Sequence, residues 1–350
     1  MSTSAVRLGL VGYGFGGRYF HAPLIAAAPQ CEFVGVVTTS PQRRAELADD
    51  QPGVAAYDSL GALAGAGAEA VAISTPAATH VQLARAAIDL GLGVVVDKPF
   101  ALDAAAARET VVAAEHAGVP LSVYQNRRWD SDLLTLRRLI SAGELGTVTA
   151  FESRFERFAP QPGPSAAGGG SLLDFGTHLV DQALTLFGPV EHVYAEMHPR
   201  DDLDGRDDDF FLALRHHTGV RTRLWGSWVQ GAPGPRLRVT GTSGSFVVAG
   251  VDGQEAALIA GRSPATEGAD WGGESRGRWG DLRRGPDSRP VPAERGRWDT
   301  YYPAFAAAVR GTGPVPVDPW DAVAALEVLD AARESARQGR SLPFATATRG

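Results

Sequence analysis

The sequence predicts an α/β fold in two domains: a doubly wound parallel sheet over residues 1–123 and a second α/β domain with an open, mainly antiparallel sheet over residues 124–350. Three observations support this. The first strand-like run, Val6–Val11, leads directly into a glycine-rich turn. Strand-like and helix-like segments then alternate through the first third, as parallel pairing requires. From residue 190 to about 259, strand follows strand, which is typical of antiparallel pairing.

The glycine turn over residues 12–17 has the spacing G-x-G-x-x-G and also includes Phe15 and Gly16. Gly12 allows a tight turn, Gly14 lets the backbone approach a pyrophosphate, and Gly17 lets the next helix pack on the strand. The helix that follows offers free N–H groups to phosphates. Because the motif directly follows an N-terminal strand, it predicts a dinucleotide-binding Rossmann domain.

The remaining elements of the first domain follow from apolar runs and their caps. Ser40 is a plausible N-cap with Pro41 at the first helical position, and Gly91 and Gly118 end helices. We predict strands at 33–38, 54–57, 71–74, 93–96 and 121–124, and helices at 16–28, 41–49, 80–90 and 102–117.

The second domain is predicted in the same way. Helices are expected at 130–141, 172–187, 301–310 and 318–339, and strands at 148–158, 193–198, 210–215, 221–229, 237–242 and 245–249. Residues 160–170 are predicted as a mobile loop, and residues 261–297 as an irregular excursion. The final helix is a candidate to pack back on the first domain.

The composition excludes several classes of protein. The net charge of −7 argues against a nucleic-acid partner or an anionic membrane surface. The single cysteine, Cys31, excludes disulfide frameworks and cysteine-based metal sites. No segment is long and apolar enough to span a bilayer, and the N-terminus lacks the pattern of a signal peptide. We therefore expect a soluble, cytoplasmic protein.

The end of the second strand bears on the cofactor. Many NAD-binding folds place an acid there to hold the ribose hydroxyls. This chain has Thr38, Thr39 and Ser40, followed by Arg43 and Arg44, a set that suits a 2′-phosphate. This favours NADP(H) over NAD(H), although the two arginines also fit a solvated helix face.

Lys98 is the sole lysine of the chain and follows Asp97 at the end of a predicted strand. Ligands of open α/β sheets bind at this edge, where a lysine can polarise a substrate oxygen and relay a proton. The alternative is an ordinary surface lysine. The other basic residues, histidines aside, are all arginine, so a lone lysine here favours a functional role.

Asp174 and His178 are four residues apart on the predicted helix 172–187 and therefore share one face. A carboxylate can orient an imidazole and raise its basicity, which suits a general acid–base. The alternatives are a capping or core pair, or a metal site with Asp181 as third ligand. One helix alone makes a poor metal cage, so we expect no metal.

Five segments together resemble the Gfo/Idh/MocA oxidoreductase family, and the similarity extends over nearly the whole chain. The segments are GYGFGGRYFHAPLI at 12–25, ISTPAATH at 73–80, DKPF at 97–100, YQNRRWD at 124–130 and GGSLLDFGTHLVDQAL at 169–184. The chain is most similar to the branch with NADP-dependent scyllo-inositol dehydrogenases. The resemblance implies a Rossmann domain and an antiparallel-sheet domain through which dimers or tetramers form.

The resemblance also implies roles for individual residues. Lys98 corresponds to the lysine that contacts substrate and nicotinamide, His178 to the catalytic histidine and Asp174 to the acid beside it. Further cofactor contacts are expected from Thr75, Pro76, His80, Asp97 and Asn126, and further substrate contacts from Arg127 and Trp129. His21 belongs to the resemblance too, either near the substrate or as a packed helix residue.

The chain departs from the family pattern at three places, of which the last, a short loop, concerns the substrate more than the chemistry. Asp97 replaces the usual glutamate, and Ala77 stands where asparagine is frequent. The loop at 157–170 is short, with Pro-Gly-Pro where relatives carry an Arg/Trp-containing segment near the substrate.

These observations predict an NADP(H)-dependent oxidoreductase that interconverts a secondary alcohol and a ketone on a sugar, cyclitol or related polyol. Rival substrates are a diol, an aldose at its anomeric carbon or an anhydro-sugar. A rival of another class is a non-catalytic NADP(H)-binding regulator. A purely structural protein would leave the glycine turn unexplained.

Overall fold

The computed structural model describes residues 4–161, 163 and 168–345, and the chain forms two compact units. The first unit comprises residues 1–126, 254–271 and 297–321. The second comprises residues 127–253, 272–296 and 322–350. Two segments from late in the chain thus cluster with the first unit. The domain bounds predicted from the sequence, 1–123 and 124–350, stay a prediction.

The first unit is built on a six-stranded sheet. Its strands are β1 Val6–Val11, β2 Cys31–Val37, β3 Ala55–Tyr57, β4 Ala70–Ile73, β5 Gly93–Val96 and β6 Leu121–Val123. They lie in the order β3-β2-β1-β4-β5-β6, and every pair is parallel. This confirms the predicted doubly wound sheet. The strand order reverses between β1 and β4, and such folds bind ligands beyond the strand ends at this point.

The described residues of the first unit also form eight α-helices, of which five lie between its strands in the sequence and three come later in the chain. They are Ala22–Ala26, Pro41–Asp50, Leu60–Gly65, His80–Asp89, Ala104–Ala117, Gln254–Ile259, Pro264–Glu267 and Tyr301–Val309. The helix predicted over 16–28 is observed over 15–26, with a π-helical turn, Gly17–His21, before the α-helix Ala22–Ala26. A π turn inserts an extra residue into the helix, a feature that is frequent at functional sites.

The second unit is built on a nine-stranded sheet. Its strands are β7 Val148–Glu156, β8 Val190–Pro199, β9 Asp207–His216, β10 Arg221–Ser227, β11 Leu237–Gly241, β12 Gly244–Val248, β13 Gly280–Arg284, β14 Asp287–Val291 and β15 Leu342–Pro343. The order is β14-β13-β12-β11-β7-β10-β9-β8-β15. β7 and β10 pair in parallel and the other neighbours are antiparallel, which confirms a mainly antiparallel sheet.

Two features of the second unit differ from the sequence prediction. The segment 261–297, predicted as irregular, contains β13 and β14. The helix predicted over 172–187 is two helices, Ser171–Asp174 and Gly176–Phe187, separated at Phe175. The Phe175 ring stacks on Phe155 with the ring centroids 4.7 Å apart.

The remaining helices of the second unit are Ser131–Ser141 and Pro319–Gln338, the latter belonging to this unit from Ala322 onward. Among the described residues, no helix is both long enough and apolar enough to cross a membrane.

Candidate active site

The three glycines of the turn in the first unit have different surroundings. Gly12 has a φ of +96°, and a Cβ on it would overlap the carbonyl oxygen of Ser74. A Cβ on Gly17 would overlap the carbonyl oxygen of Gly12. A Cβ on Gly14, by contrast, would have no atom within 4 Å. Two glycines are therefore required by the protein itself, and the third leaves space for a phosphate to approach the backbone.

This difference gives a testable prediction. We expect Gly14→Ala to leave the melting temperature within about 2 °C of wild type but to weaken NADPH binding at least about tenfold, since the added methyl group takes up ligand space. The matched Gly17→Ala variant should lower the free energy of unfolding by about 2 kcal/mol or more because of the overlap with Gly12. Equal stability losses in both variants would contradict this assignment.

At the end of β2 the two arginines have different surroundings. Arg44 donates from Nε to the Thr38 carbonyl at 3.1 Å and from Nη2 to Asp58 at 2.6 Å. Arg43 pairs with Glu46 of its own helix at 2.9 Å. Arg44 therefore braces the end of β2, whereas the Arg43 guanidinium can change partner at little cost.

Two hydroxyl-bearing residues also lie at the end of β2. The Ser40 hydroxyl caps the helix by accepting from the Arg43 N–H at 3.4 Å, and Thr39 is exposed. The candidate residues for the ribose phosphate thus lie together at the carboxyl end of β2.

His80 links the ends of two neighbouring strands. Its ring is 1 % exposed, with Nδ1 2.7 Å from the Pro99 carbonyl and Nε2 2.8 Å from the Thr75 carbonyl. Both partners are main-chain carbonyl oxygens, which accept hydrogen bonds. A direct contact of the His80 ring with a cofactor stays a prediction. The observed contacts make His80 a brace for Thr75, the neighbouring Pro76 and the Lys98–Pro99 turn.

Asp97 and Lys98 follow β5, and the Lys98–Pro99 peptide bond is cis. The Asp97 carboxylate accepts from the Lys98 main-chain N–H at 2.8 Å and from the Ser74 hydroxyl at 2.9 Å. Burial acts to raise the pKa of Asp97, but the facing His21 and the Lys98 ammonium lower it to about 2. Asp97 is therefore an anion directly beside the lysine.

In the second unit, Phe155 brings two of the predicted residues together. His178 is 5 % exposed and stacks on the Phe155 ring with the centroids 6.4 Å apart. The Arg127 guanidinium carbon lies 4.5 Å from the centroid of the same ring. Asp174 is half-buried and lies on the short helix that precedes the one carrying His178. The prediction that these two share one continuous helix is therefore wrong.

Gln182 supports this arrangement and was missed by the sequence analysis. Its Nε2 donates to the Arg127 carbonyl at 3.0 Å, and its Oε1 accepts from buried Arg236 at 2.9 Å. Gln182 lies four residues after His178, so its place on the same helix face was a usable signal. Asp181, considered as a metal ligand, forms a two-hydrogen-bond pair with Arg128 at 2.8 and 2.6 Å.

The remaining predicted residues are the first and last residues of one 3₁₀ turn, Asn126–Trp129. Asn126 is 6 % exposed and Trp129 is half-buried. The short loop at 157–170 lies in part outside the described residues, which leave out 162 and 164–167.

The start of the helix that carries Asp174 is fixed by a buried carboxylate. The Leu172 N–H donates to Asp207 Oδ2 at 2.7 Å, and a Cβ on Gly170, whose φ is +101°, would lie 2.5 Å from Asp207 Oδ1. Burial raises the pKa of Asp207 to about 6 despite the Leu172 N–H. The carboxyl group therefore binds a proton more tightly in the folded than in the unfolded state.

This shift predicts a pH dependence of stability. Between about pH 4 and 6 the folded protein holds a proton that the unfolded chain has released, so the contribution of Asp207 falls by about 2–3 kcal/mol as pH rises. We expect Asp207→Asn to remove this part of the slope when urea unfolding is compared at pH 4.5 and 7. The control, Asp204→Asn, changes an exposed carboxylate in the same region and should leave the slope unchanged. An unaltered slope in Asp207→Asn would overturn the assignment.

Most of the chain is similar to known oxidoreductases. Residues 6–125 match the model "Oxidoreductase family, NAD-binding Rossmann fold", and residues 133–247 match the model "GFO/IDH/MocA C-terminal domain". The chain is 37% identical to the uncharacterized oxidoreductase YdgJ of Escherichia coli strain K12, with 97% of this chain and 99% of that protein covered. It is 32% identical to the scyllo-inositol 2-dehydrogenase (NADP(+)) IolW of Bacillus subtilis strain 168, with 97% and 96% covered.

Among solved structures, the chain is similar to YPO2259 of Yersinia pestis, with a TM-score of 0.90, 35% identity and 99% of each chain covered. The yvaA structure from Bacillus subtilis also gives a TM-score of 0.90, with 31% identity and 99% of each chain covered.

Proposed function

Because the chain belongs to the Gfo/Idh/MocA oxidoreductase family, we propose that it interconverts a secondary alcohol and a ketone on a sugar, cyclitol or related polyol, with NADP(H) as cofactor. The relative that is a scyllo-inositol 2-dehydrogenase (NADP(+)) supports both the polyol class and the cofactor.

The observation that carries the proposal is the setting of Lys98. The sole lysine of the chain follows β5 at the edge where ligands of such sheets bind, and the half-buried Asp97 carboxylate accepts a hydrogen bond from its main-chain N–H. A lysine needed only for solubility would not require this support.

The residues of the first unit fit a dinucleotide. The space beside Gly14 and the N–H groups that follow it suit the pyrophosphate, and Ser40 and Arg43 suit a 2′-phosphate. When bound, the nicotinamide supplies the hydride acceptor for oxidation and the hydride donor for reduction.

The chain's own residues would move the proton. In the oxidation direction a ring nitrogen of His178 takes the proton of the substrate hydroxyl, and the Lys98 ammonium stabilises the negative charge that develops on the substrate oxygen. Asp174 orients the His178 ring. In reduction, His178 returns the proton to the oxygen. Arg127 and Trp129 are proposed to contact the rest of the substrate.

The proposal is tested by titrating the purified protein with NADPH, followed by fluorescence, and then by assaying a panel of sugars, cyclitols and their ketones at 340 nm. We expect NADPH binding and turnover of at least one cyclitol or sugar ketone. NADPH binding without turnover of any member would instead favour the non-catalytic regulator.

The cofactor preference gives a sharper prediction. We expect Arg43→Ala to weaken NADPH binding about tenfold, because a charge-assisted contact to the 2′-phosphate is lost. NADH lacks this phosphate, so its affinity should change less than about twofold and serves as the internal control. Equal changes for both cofactors would contradict the role of Arg43.

We further propose that copies of the chain associate through one face of the nine-stranded sheet. Tyr194, Phe211 and Trp225 lie side by side there, with successive ring centroids 6.4 and 5.3 Å apart, and all three are half-buried. Light scattering after size exclusion measures whether a dimer or tetramer forms.

A further inference from the structure

A buried chain of polar groups in the first unit runs from Tyr302 to the main chain of Lys98. The Tyr302 hydroxyl lies 2.5 Å from His21 Nδ1, and His21 Nε2 lies 3.2 Å from Asp97 Oδ2. Asp97 Oδ1 then accepts from the Lys98 N–H at 2.8 Å. These residues are separated by up to 281 positions in sequence, so their meeting is a product of the fold.

The chain has a defined direction. Burial raises the pKa of Tyr302 well above its usual range, so the phenol keeps its proton. With that proton donated to His21 Nδ1, the ring's own N–H sits on Nε2, the nitrogen that lies 3.2 Å from Asp97 Oδ2. The His21 ring is fully buried and packs on Tyr124 with the centroids 4.3 Å apart, which restricts its rotation.

Asp97 is the point at which this chain meets the candidate cofactor and catalytic groups. Its Oδ2 also accepts from Ser74, and a Cβ on Gly16 of the glycine turn would lie 2.9 Å from the same oxygen. The charged or titratable groups that act on Asp97 are His21, Lys98 and His80. Without His21, burial would favour a protonated Asp97. A protonated Asp97 would hold the Lys98 turn and the Lys98 ammonium less firmly.

We propose that His21 and Tyr302 are positioning residues: they hold Asp97 as a fixed carboxylate, and Asp97 in turn holds Lys98 in place for catalysis. This inference rests on the proposed function of Lys98. It assigns a role to the π-helical turn after the glycine motif, which ends at His21 and reaches back to the end of β5.

The kinetic test compares variants that differ in one group. His21→Leu removes the ring nitrogen beside Asp97 and should lower kcat at least about tenfold, whereas His21→Gln retains a side-chain N–H and should stay within about threefold of wild type. Tyr302→Phe should lower kcat about threefold. Tyr301→Phe is the matched control, since its hydroxyl bonds Ser122 at 2.9 Å from the same helix, and it should leave kcat unchanged.

A second readout does not depend on turnover. Because Lys98 is the sole lysine, reductive methylation with carbon-13 formaldehyde labels one side chain besides the α-amino group. In His21→Leu the dimethyl-Lys98 signal should show an inflection between about pH 4 and 7, as Asp97 becomes protonated at higher pH than in wild type. The double variant His21→Leu/Asp97→Asn should lose that inflection.

The outcomes separate the two proposals. A wild-type protein that turns over no polyol would contradict the proposed function. The carbon-13 titration would still test the positioning role of His21, because it does not depend on turnover. A flat titration in His21→Leu would overturn the positioning role. If His21→Leu does not fold, the tyrosine pair decides: equal kcat values for Tyr302→Phe and Tyr301→Phe would overturn it.

Discussion

Lys98→Met is expected to lower kcat by about a thousandfold while NADPH affinity changes less than about threefold. The reason is electrostatic: methionine keeps most of the side-chain length but removes the ammonium that is proposed to stabilise the charge on the substrate oxygen. The Asp97 carboxylate would also lose the nearby ammonium charge that helps to keep its pKa low. Single-turnover absorbance at 340 nm measures the chemical step, and fluorescence titration measures binding.

The matched control for this experiment is Arg85→Met, which removes a half-exposed cation of the same unit that pairs with Glu109. It should leave kcat unchanged. A kcat for Lys98→Met within about tenfold of wild type would exclude Lys98 from the chemical step.

His178→Asn is the second variant with a large expected effect: kcat should fall between about a hundredfold and ten-thousandfold, the usual range for loss of a general acid–base. Asparagine cannot accept a proton at neutral pH, so the limb of the pH–rate profile that reports the histidine should disappear. Steady-state kinetics across pH 5–9 with the best substrate of the panel checks this.

The control for the histidine is His217→Asn, a more exposed position of the same unit with a side chain that is 59% accessible. It should retain the wild-type profile. A His178→Asn enzyme that keeps both its rate and its pH limb would assign the proton transfer to another group.

The fold could be predicted to different extents in the two units. The strands of the six-stranded sheet are short, mostly apolar runs, and their predicted boundaries fell within two residues of those observed. β13 and β14 were missed because exposed arginines such as Arg283 and Arg289 interrupt their apolar pattern. The break at Phe175 was missed because Leu172, Phe175 and Leu179 continue a helical spacing through it.

The candidate site shows a similar limit. Local patterns indicate the glycine turn, the Lys98 strand end and the pair Asp174 and His178, and their roles stay proposals. Contacts that depend on long-range folding are harder to predict. Helical spacing places Gln182 on the face of His178 but does not show its hydrogen bond to Arg127. Nothing in the spacing links His21 to Tyr302. The sequence therefore points to groups that react, but seldom to those that hold them.

The two outermost strands of the nine-stranded sheet, β14 and β15, each contain a proline, Pro290 and Pro343. Proline has no N–H to give to a neighbouring strand, and β14 also carries charged, exposed side chains. Another polypeptide could therefore form only an incomplete set of backbone hydrogen bonds with either edge strand. Exposed sheet edges favour the addition of strands from other chains, and a proline in each outermost strand hinders such pairing.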